Sequence, residues 1–449
     1  MQLSAQNIIV NDHPGAGEHL VYNTRTQALV KVESRLMDLL HHLGHPESFS
    51  LRMEYACELE QLYAMGFVVE NGSKDEKELL RFLEDLKRQK IGDTFAVTIL
   101  TTMACNFRCA YCFEEGVRQP AAMSAAICRA SLDWIKARVL SMKYEKIFVT
   151  FYGGEPLLNE DALEYVATDL RDWCAVNGIG FKFMIQTNGY LITAACVQKY
   201  LPLGLSNVRI SLDGVGDEHD RLRPLRTGGG TFDRIMGNIM DIVDLVQVGI
   251  SVSYDKNRVA HIAHLLDYLE SRGILGRLGR FIFSPIHASL GSLAYPGQIH
   301  GVQCQMNYSD QELLKAGFEI NRLMAAKGLA VPRGLAVSAC SLGREYGGFA
   351  IDPQGYLYAC NSMLGYPQFA VGSVFLKEFN GNRQEFLNMD VGLKCPVDCR
   401  YLPVCNGGCR LMSFMEHGRF DRPYCKAGYL DQMAPELVKS EYDALTHAA

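Results

Sequence analysis

From residue 95 onward, short apolar runs alternate with longer amphipathic stretches, and this alternation constrains the fold more than any other feature of the chain. The predicted strands are Phe95–Leu100, Lys146–Phe151, Lys182–Gln186, Val208–Leu212, Ile250–Tyr254 and Arg280–Phe283. The predicted helices are Ala121–Met142, Asn159–Val176, Thr193–Tyr200, Phe232–Val246 and Val259–Arg272. Strands that alternate with helices pair in parallel through right-handed crossovers. The units are too few to close a full TIM barrel, so the expectation is an α/β chain built on a partial (β/α)6 TIM-like barrel over residues 95–285. Active sites in such barrels form at the C-terminal ends of the strands. The segments just after each strand are therefore where chemistry is expected.

Residues 1–75 read as a separate module. Leu20–Val32 holds two apolar runs around Asn23-Thr24-Arg25-Thr26-Gln27, a hairpin pattern. Ser34 can cap a helix whose Leu36, Leu39, Leu40 and Leu43 form one stripe. A second helix over Leu51–Met65 stops at Gly66, and Phe67-Val68-Val69 reads as a strand. These parts suggest a winged-helix-like unit. Residues 76–94 form a linker whose helix, Lys77–Gln89, buries Leu79, Leu80, Phe82, Leu83 and Leu86. Beyond the barrel, 286–339 is an irregular bridge with one helix over Gln311–Lys327, and 340–449 is a Cys-rich domain.

Hydrophobic residues make up 48% of the chain and charged residues 21%, with a net charge of −6. That balance suits a globular protein with a substantial core. The chain shows no Lys/Arg block that would point to nucleic acid, no apolar run long enough for a membrane span, and no signal-peptide pattern at Met1. The expectation is a cytoplasmic protein without nucleic-acid or membrane partners. In that setting fifteen cysteines point to metal or redox chemistry rather than to disulfides. Cys57, Cys128, Cys174, Cys196 and Cys304 are scattered and read mostly as small buried hydrophobes. The others cluster.

The first cluster is Cys105-x3-Cys109-x2-Cys112, directly after the first barrel strand. Three thiolates on one loop can hold three irons of a [4Fe–4S] cluster and leave the fourth open to a small bidentate molecule. The competing reading is a zinc site completed by a histidine, but the nearest in sequence, His45 and His219, are remote. With Tyr111 before the last cysteine, the loop resembles the radical SAM signature, Cys-x3-Cys-x-aromatic-Cys. The resemblance covers about residues 95–285. It implies a site that binds S-adenosylmethionine (SAM) and cleaves it by one electron to a 5′-deoxyadenosyl radical. It further implies that Gly153, Gly154 and Glu155, in Tyr152-Gly-Gly-Glu-Pro156, meet the amino group of the methionine moiety. Gln186 and Asn188 after the third strand, and Ser211 and Asp213 after the fourth, would line the same pocket, with Tyr111 near the adenine. Taken singly, Thr187 or Asp213 reads as an ordinary polar turn residue. His219, Arg221 and Arg223 read foremost as a solvated turn, with contact to the SAM carboxylate or substrate as the alternative.

The second cluster runs Cys340-x14-Gly355-x4-Cys360, then Cys395-x3-Cys399-x5-Cys405-x3-Cys409, then Cys425. Alone, Cys395, Cys399, Cys405 and Cys409 would read as a zinc knuckle. After a radical SAM barrel the seven resemble a SPASM domain, which carries two auxiliary [4Fe–4S] clusters. One departure is the first gap of the four-cysteine run, three residues where the family usually has two. The resemblance implies interleaved ligands: Cys395, Cys399, Cys405 and Cys425 for one cluster, and Cys340, Cys360 and Cys409 for the other. The fourth position of the latter would be open or filled by Cys304. The cofactors implied are SAM and three [4Fe–4S] clusters.

SPASM domains mark relatives that act on peptides or proteins, and the chain resembles ribosomal-peptide maturases of the sactipeptide, thioether-forming type. That implies a precursor-peptide substrate whose leader adds a strand to the edge of the 1–75 module, and an electron donor such as flavodoxin or ferredoxin. Anaerobic sulfatase maturases carry an aspartate base directly after the cysteine matched by Cys360. Here that position is Asn361, which is no base at neutral pH. The expectation is a peptide maturase forming a crosslink, a thioether foremost. A formylglycine-forming enzyme and a non-catalytic metal-binding scaffold are the alternatives. The sequence singles out no catalytic acid or base.

Overall fold

The computed structural model describes residues 1–43, 45, 49–90, 92–112, 114, 121–286, 290, 311–337, 340–376 and 378–447. The chain divides into two compact units. One comprises Met1–Gln89, Val331–Tyr346 and Phe386–Ala449, and the other Lys90–Ala330 and Gly347–Glu385.

The first unit opens with strands β1 (Gln2–Leu3), β2 (Asn7–Val10), β3 (Glu18–Asn23) and β4 (Leu29–Glu33), followed later by β5 (Val68–Val69). Strands β2, β3 and β4 form an antiparallel meander, and β1 pairs with β5. The expected hairpin is β3–β4. Its turn forms because Asn23 Oδ1 accepts the N–H groups of Arg25 and Thr26, both at 3.0 Å. Alternation along β3 sends Val21 to one face, where it packs with Val32, Leu36, Leu39, Leu59, Leu62 and Phe67. It sends Leu20 and Tyr22 to the other face, against Ile8, Val10, Leu335, Tyr401, Val404, Ala434 and Val438. Tyr22 donates to the Leu335 carbonyl at 3.3 Å and Thr24 to the Arg400 carbonyl at 2.6 Å. The N-terminal module thus shares a core with the Cys-rich segment.

The helix expected over Leu51–Met65 is two, Phe49–Glu54 and Ala56–Ala64, broken at Tyr55 (φ −102°, ψ 30°), whose hydroxyl donates to Glu33 at 2.8 Å. The linker helix runs Gly72–Arg88, with Asn71 Oδ1 accepting Lys74 N–H as its cap. Leu79, Leu83 and Leu86 are buried, but Leu80 is on the exposed side, because it lies about 100° around the helix from Leu79.

The second unit is the barrel. Strands β6 (Thr94–Thr102), β7 (Lys146–Gly153), β8 (Gly180–Thr187), β9 (Leu205–Ser211), β10 (Gln247–Tyr254) and β11 (Phe281–Pro285) lie side by side in sequence order, parallel throughout. The helices Ala125–Ser141, Glu160–Asn177, Ala194–Tyr200, Phe232–Ile242 and Val259–Ser271 fall where the amphipathic stretches place them. A further short helix, Asp217–Leu222, follows β9. On the β6 side the sheet continues through β12 (Phe349–Ile351), β13 (Tyr356–Tyr358) and β14 (Gly372–Ser373), so residues 347–385 extend the barrel sheet. Phe349 stacks on Phe379 with centroids 5.3 Å apart, and the guanidiniums of Arg138 and Arg383 lie 5.3–5.7 Å from these rings. Among the described residues no helix is long and apolar enough to cross a membrane.

Candidate functional site

The cysteine loop leaves the C-terminal end of β6 and is fastened along its length. At its root, Gly154 N–H donates to the Thr102 carbonyl and Glu155 N–H to the Ala104 carbonyl, at 3.0 and 2.9 Å. A Cβ on Gly154 would lie 2.3 Å from the Ala104 oxygen, and one on Gly153 (φ 139°) 2.2 Å from the Thr102 oxygen. Backbone meets backbone here, and only glycine permits it. Farther along, residues 222–226 run beside the loop like a strand. Arg108 N–H donates to Pro224, Ala110 N–H to Leu222 and Arg226 N–H to Asn106, at 2.8–2.9 Å, with Phe107 bridged to Leu225. Arg226 Nε donates to the Cys105 carbonyl at 3.1 Å.

Two cysteine sulfurs in this loop receive side-chain donors. Asn188 Nδ2 is 3.9 Å from Cys105 Sγ and 2.8 Å from Asn106 Oδ1, and Phe107 N–H points to the same sulfur at 3.4 Å. Arg223 Nη1 is 3.9 Å from Cys109 Sγ. Donors aimed at sulfur favour the thiolate, the form that ligates metal. Arg223 is held by Asp213, whose Oδ2 accepts Arg223 Nε at 2.5 Å and the Tyr111 hydroxyl. Asp213 Oδ1 accepts Ser253 N–H at 2.7 Å, and the guanidinium lies 5.3 Å from the Tyr111 ring centroid. Burial works against the Arg223 charge, but Asp213, Tyr111 and Cys109 hold its pKa well above the usual value. Burial likewise pushes the Tyr111 phenol well up.

The structure therefore joins Tyr111, Gly153, Gly154, Asn188 and Asp213 to the cysteine loop. Gln186 and Ser211 stand at the ends of β8 and β9, half-buried. The Glu155 carboxylate faces the interior. It is fully buried and accepts from Leu157 N–H, the Thr187 hydroxyl and Asn188 N–H at 3.2, 2.8 and 2.8 Å. Burial raises its pKa to about 7 despite these donors. The residues after β9 correct the sequence reading. His219 is fully buried and Arg223 nearly so, and only Arg221 is exposed. His219 Nδ1 accepts Asp213 N–H at 3.2 Å, and burial lowers its pKa to about 4.

The radical SAM superfamily profile matches residues 99–255, the segment that carries every one of these groups. The barrel is a radical SAM domain. Such a domain implies SAM and one [4Fe–4S] cluster, and the three-thiol loop with its sulfur donors suits both. The cysteine-type anaerobic sulfatase-maturating enzyme of Clostridium novyi is 25% identical over 330 residues, 68% of this chain and 85% of its own. The Fe-coproporphyrin III synthase of Methanosarcina barkeri is 26% identical over 199 residues, 44% of each chain. The first-ranked curated relatives are matched over roughly half their length, between 35% and 57%. Among solved structures, native anSMEcpe with bound AdoMet and Cp18Cys peptide superposes with a TM-score of 0.60 at 17% identity, covering 78% of this chain and 99% of that one. Streptococcus suis SuiB bound to S-adenosylmethionine gives 0.55 at 14% identity, covering 95% and 99%. At these identities the likeness is one of fold.

Outside the radical SAM domain, the first unit gathers a second set of thiols. Cys395, Cys399, Cys405 and Cys425 lie within electrostatic reach of one another. Burial, and then the neighbouring thiols, raise Cys395 to about 11, and burial raises Cys399 and Cys405 as well. Cys340 and Cys409 form a second neighbourhood, again with burial raising Cys340. A metal core removes both penalties, because a coordinated thiol is deprotonated outright. None of these six is in a disulfide. Among the described residues no three His, Cys, Asp or Glu side chains are placed to hold a single metal ion. Cys360 belongs to the barrel unit, and Cys304 lies outside the described residues. A cavity of about 450 Å³ in the first unit reaches Cys340, Asn406 and Arg410.

Proposed function

We propose that the chain is a radical SAM peptide maturase that abstracts hydrogen from a ribosomally made precursor peptide and directs the product into a crosslink, a thioether foremost. The observation that carries this reading is the fastening of the Cys105–Cys112 loop. Glycine backbone fixes its root, residues 222–226 its flank, and Asn188 and Arg223 its sulfurs. Bound there, the cluster and SAM supply one-electron cleavage of the sulfonium, the step that side chains cannot perform. The chain's own part is to hold three thiolates open on one side and to exclude water. Cys395, Cys399, Cys405 and Cys425 would hold one auxiliary cluster, and Cys340, Cys360 and Cys409 the other. A reducing cytoplasm and a flavodoxin- or ferredoxin-like donor suit this thiol load.

Peptide as substrate draws support from two similar folds, one bound to Cp18Cys peptide and one to precursor peptide SuiA. Among the described residues β4 is an edge strand of its sheet, which offers a place for a leader strand. Formylglycine formation is the second reading, favoured by the Clostridium novyi relative. Against it stands the exposed Asn361 after Cys360, which supplies no base.

The test uses anaerobically reconstituted full-length protein with SAM and dithionite. Wild type is expected to release 5′-deoxyadenosine, and the Cys105→Ala, Cys109→Ala, Cys112→Ala triple variant none. Equal yields from both, or none from an iron-replete wild type, would turn the reading toward a metal-bearing scaffold.

A further inference from the structure

Between Cys405 and Cys409 lie Asn406, Gly407 and Gly408, all in left-handed conformations with φ of 44°, 76° and 78°. Glycine adopts this conformation without steric cost. Here the three carbonyls converge on one side chain. Arg410 Nη2 donates to the Asn406 carbonyl at 2.7 Å, and Nη1 to those of Gly407 and Gly408 at 3.0 and 2.9 Å. Only glycine fits at 408, since a Cβ there would lie 2.1 Å from the Tyr424 oxygen. Tyr424 N–H in turn donates to the Gly407 carbonyl at 2.9 Å, which ties Cys425 to the same knot.

Arg410 is only 4% exposed. A buried guanidinium is costly unless an anion offsets it. Burial lowers the Arg410 pKa, and nearby thiols from both neighbourhoods act against that: Cys340 and Cys409 of one, Cys395 and Cys405 of the other. Thiolate-ligated iron–sulfur clusters are net anions, and the charge around them sets their potential.

We propose that Arg410 is a positioning residue shared by the two auxiliary clusters, a fixed cation that holds both thiolate sets together and keeps both reduction potentials raised. The inference rests on the auxiliary-cluster reading above. It predicts that one substitution moves two clusters at once.

The experiment uses the full chain in the Cys105→Ala, Cys109→Ala, Cys112→Ala background, so that all remaining iron is auxiliary. Iron and acid-labile sulfide are counted, and both clusters are followed by EPR-monitored redox titration in Arg410, Arg410→Lys and Arg410→Gln forms. Arg410→Gln is expected to keep its iron while both potentials become more negative, with Arg410→Lys staying near the parent. Retained iron with unmoved potentials, or a shift in only one cluster, overturns the proposal. If Arg410→Gln loses its iron, Arg410→Lys decides. Iron retained there supports the need for charge, and iron lost there shows that only the carbonyl-gripping fork matters. A triple-variant parent without iron would refute the auxiliary clusters themselves and this inference with them, leaving the 5′-deoxyadenosine result untouched.

Discussion

Glu155 and His219 are both fully buried near the cysteine loop, and they bias stability in opposite directions along the pH scale. Glu155 keeps a pKa of about 7 when folded, above the ordinary 4.5. The unfolded chain ionises first, so the folded state loses stability as pH rises from about 4.5 to about 7, and the penalty is constant above that. The neutral Glu155→Gln variant lacks this slope. In paired denaturant melts, the wild-type unfolding free energy minus that of the variant should fall between pH 4.5 and 7 and then level, with a span of roughly 3 kcal/mol at most. A flat difference would mean that the three donors hold the carboxylate ionised. The Gly-Gly-Glu-Pro motif was legible in the sequence, but its division of labour was not. The motif does not reveal that the glycines touch the loop and the carboxylate caps the next turn. His219, Arg223 and Arg410 were misread or passed over for a related reason. A charged side chain in sequence reads as solvated, and its burial shows only when a partner such as Asp213, brought near by a turn, is in place.

At the scale of elements, the site depends on the β6 and β7 exits staying in contact. Gly154→Ala puts a methyl group 2.3 Å from the Ala104 oxygen, so the loop root must move. A displacement of this kind at a reacting centre costs on the order of a hundredfold in rate. Reconstituted Gly154→Ala protein should show that loss in 5′-deoxyadenosine formation, with iron at the proposed auxiliary sites retained. Arg226→Ala should be milder. Among its contacts it removes the exposed hydrogen bond to the Cys105 carbonyl, worth about 1 kcal/mol, so iron at the first loop should escape to a chelator at least roughly fivefold faster. Unchanged escape would show that backbone pairing alone holds the segment. The parallel strands were legible because their buried runs abut the motifs, as Lys146–Phe151 abuts Tyr152-Gly153. The Asp217–Leu222 helix was not, being short and almost wholly charged. Strands β12–β14 have two or three residues each, too few for any periodicity to show, so 347–385 read as part of the C-terminal domain.

For the whole molecule, the consequential feature is the sharing of one core by the two ends of the chain. Leu20 and Tyr22 pack with Tyr401, Val404, Ala434 and Val438, next to Cys399 and Cys405. No local pattern announces a contact between residues so far apart. Removal of residues 1–75 should therefore do more than remove the edge proposed for a leader strand. It strips the cover from that apolar face, and the truncated chain is expected to lose auxiliary iron and much of its solubility. A soluble truncation with full iron would mark the N-terminal segment as a detachable recognition module. The same sharing has a consequence for biosynthesis. At about 5–20 residues per second, Tyr22 emerges from the ribosome roughly 20 to 75 s before Tyr401 can cover it. The β2–β4 sheet is therefore made long before one of its faces is covered, so a nascent or prematurely stopped chain displays a raw apolar surface that chaperones and proteases can read as a sign of unfinished work.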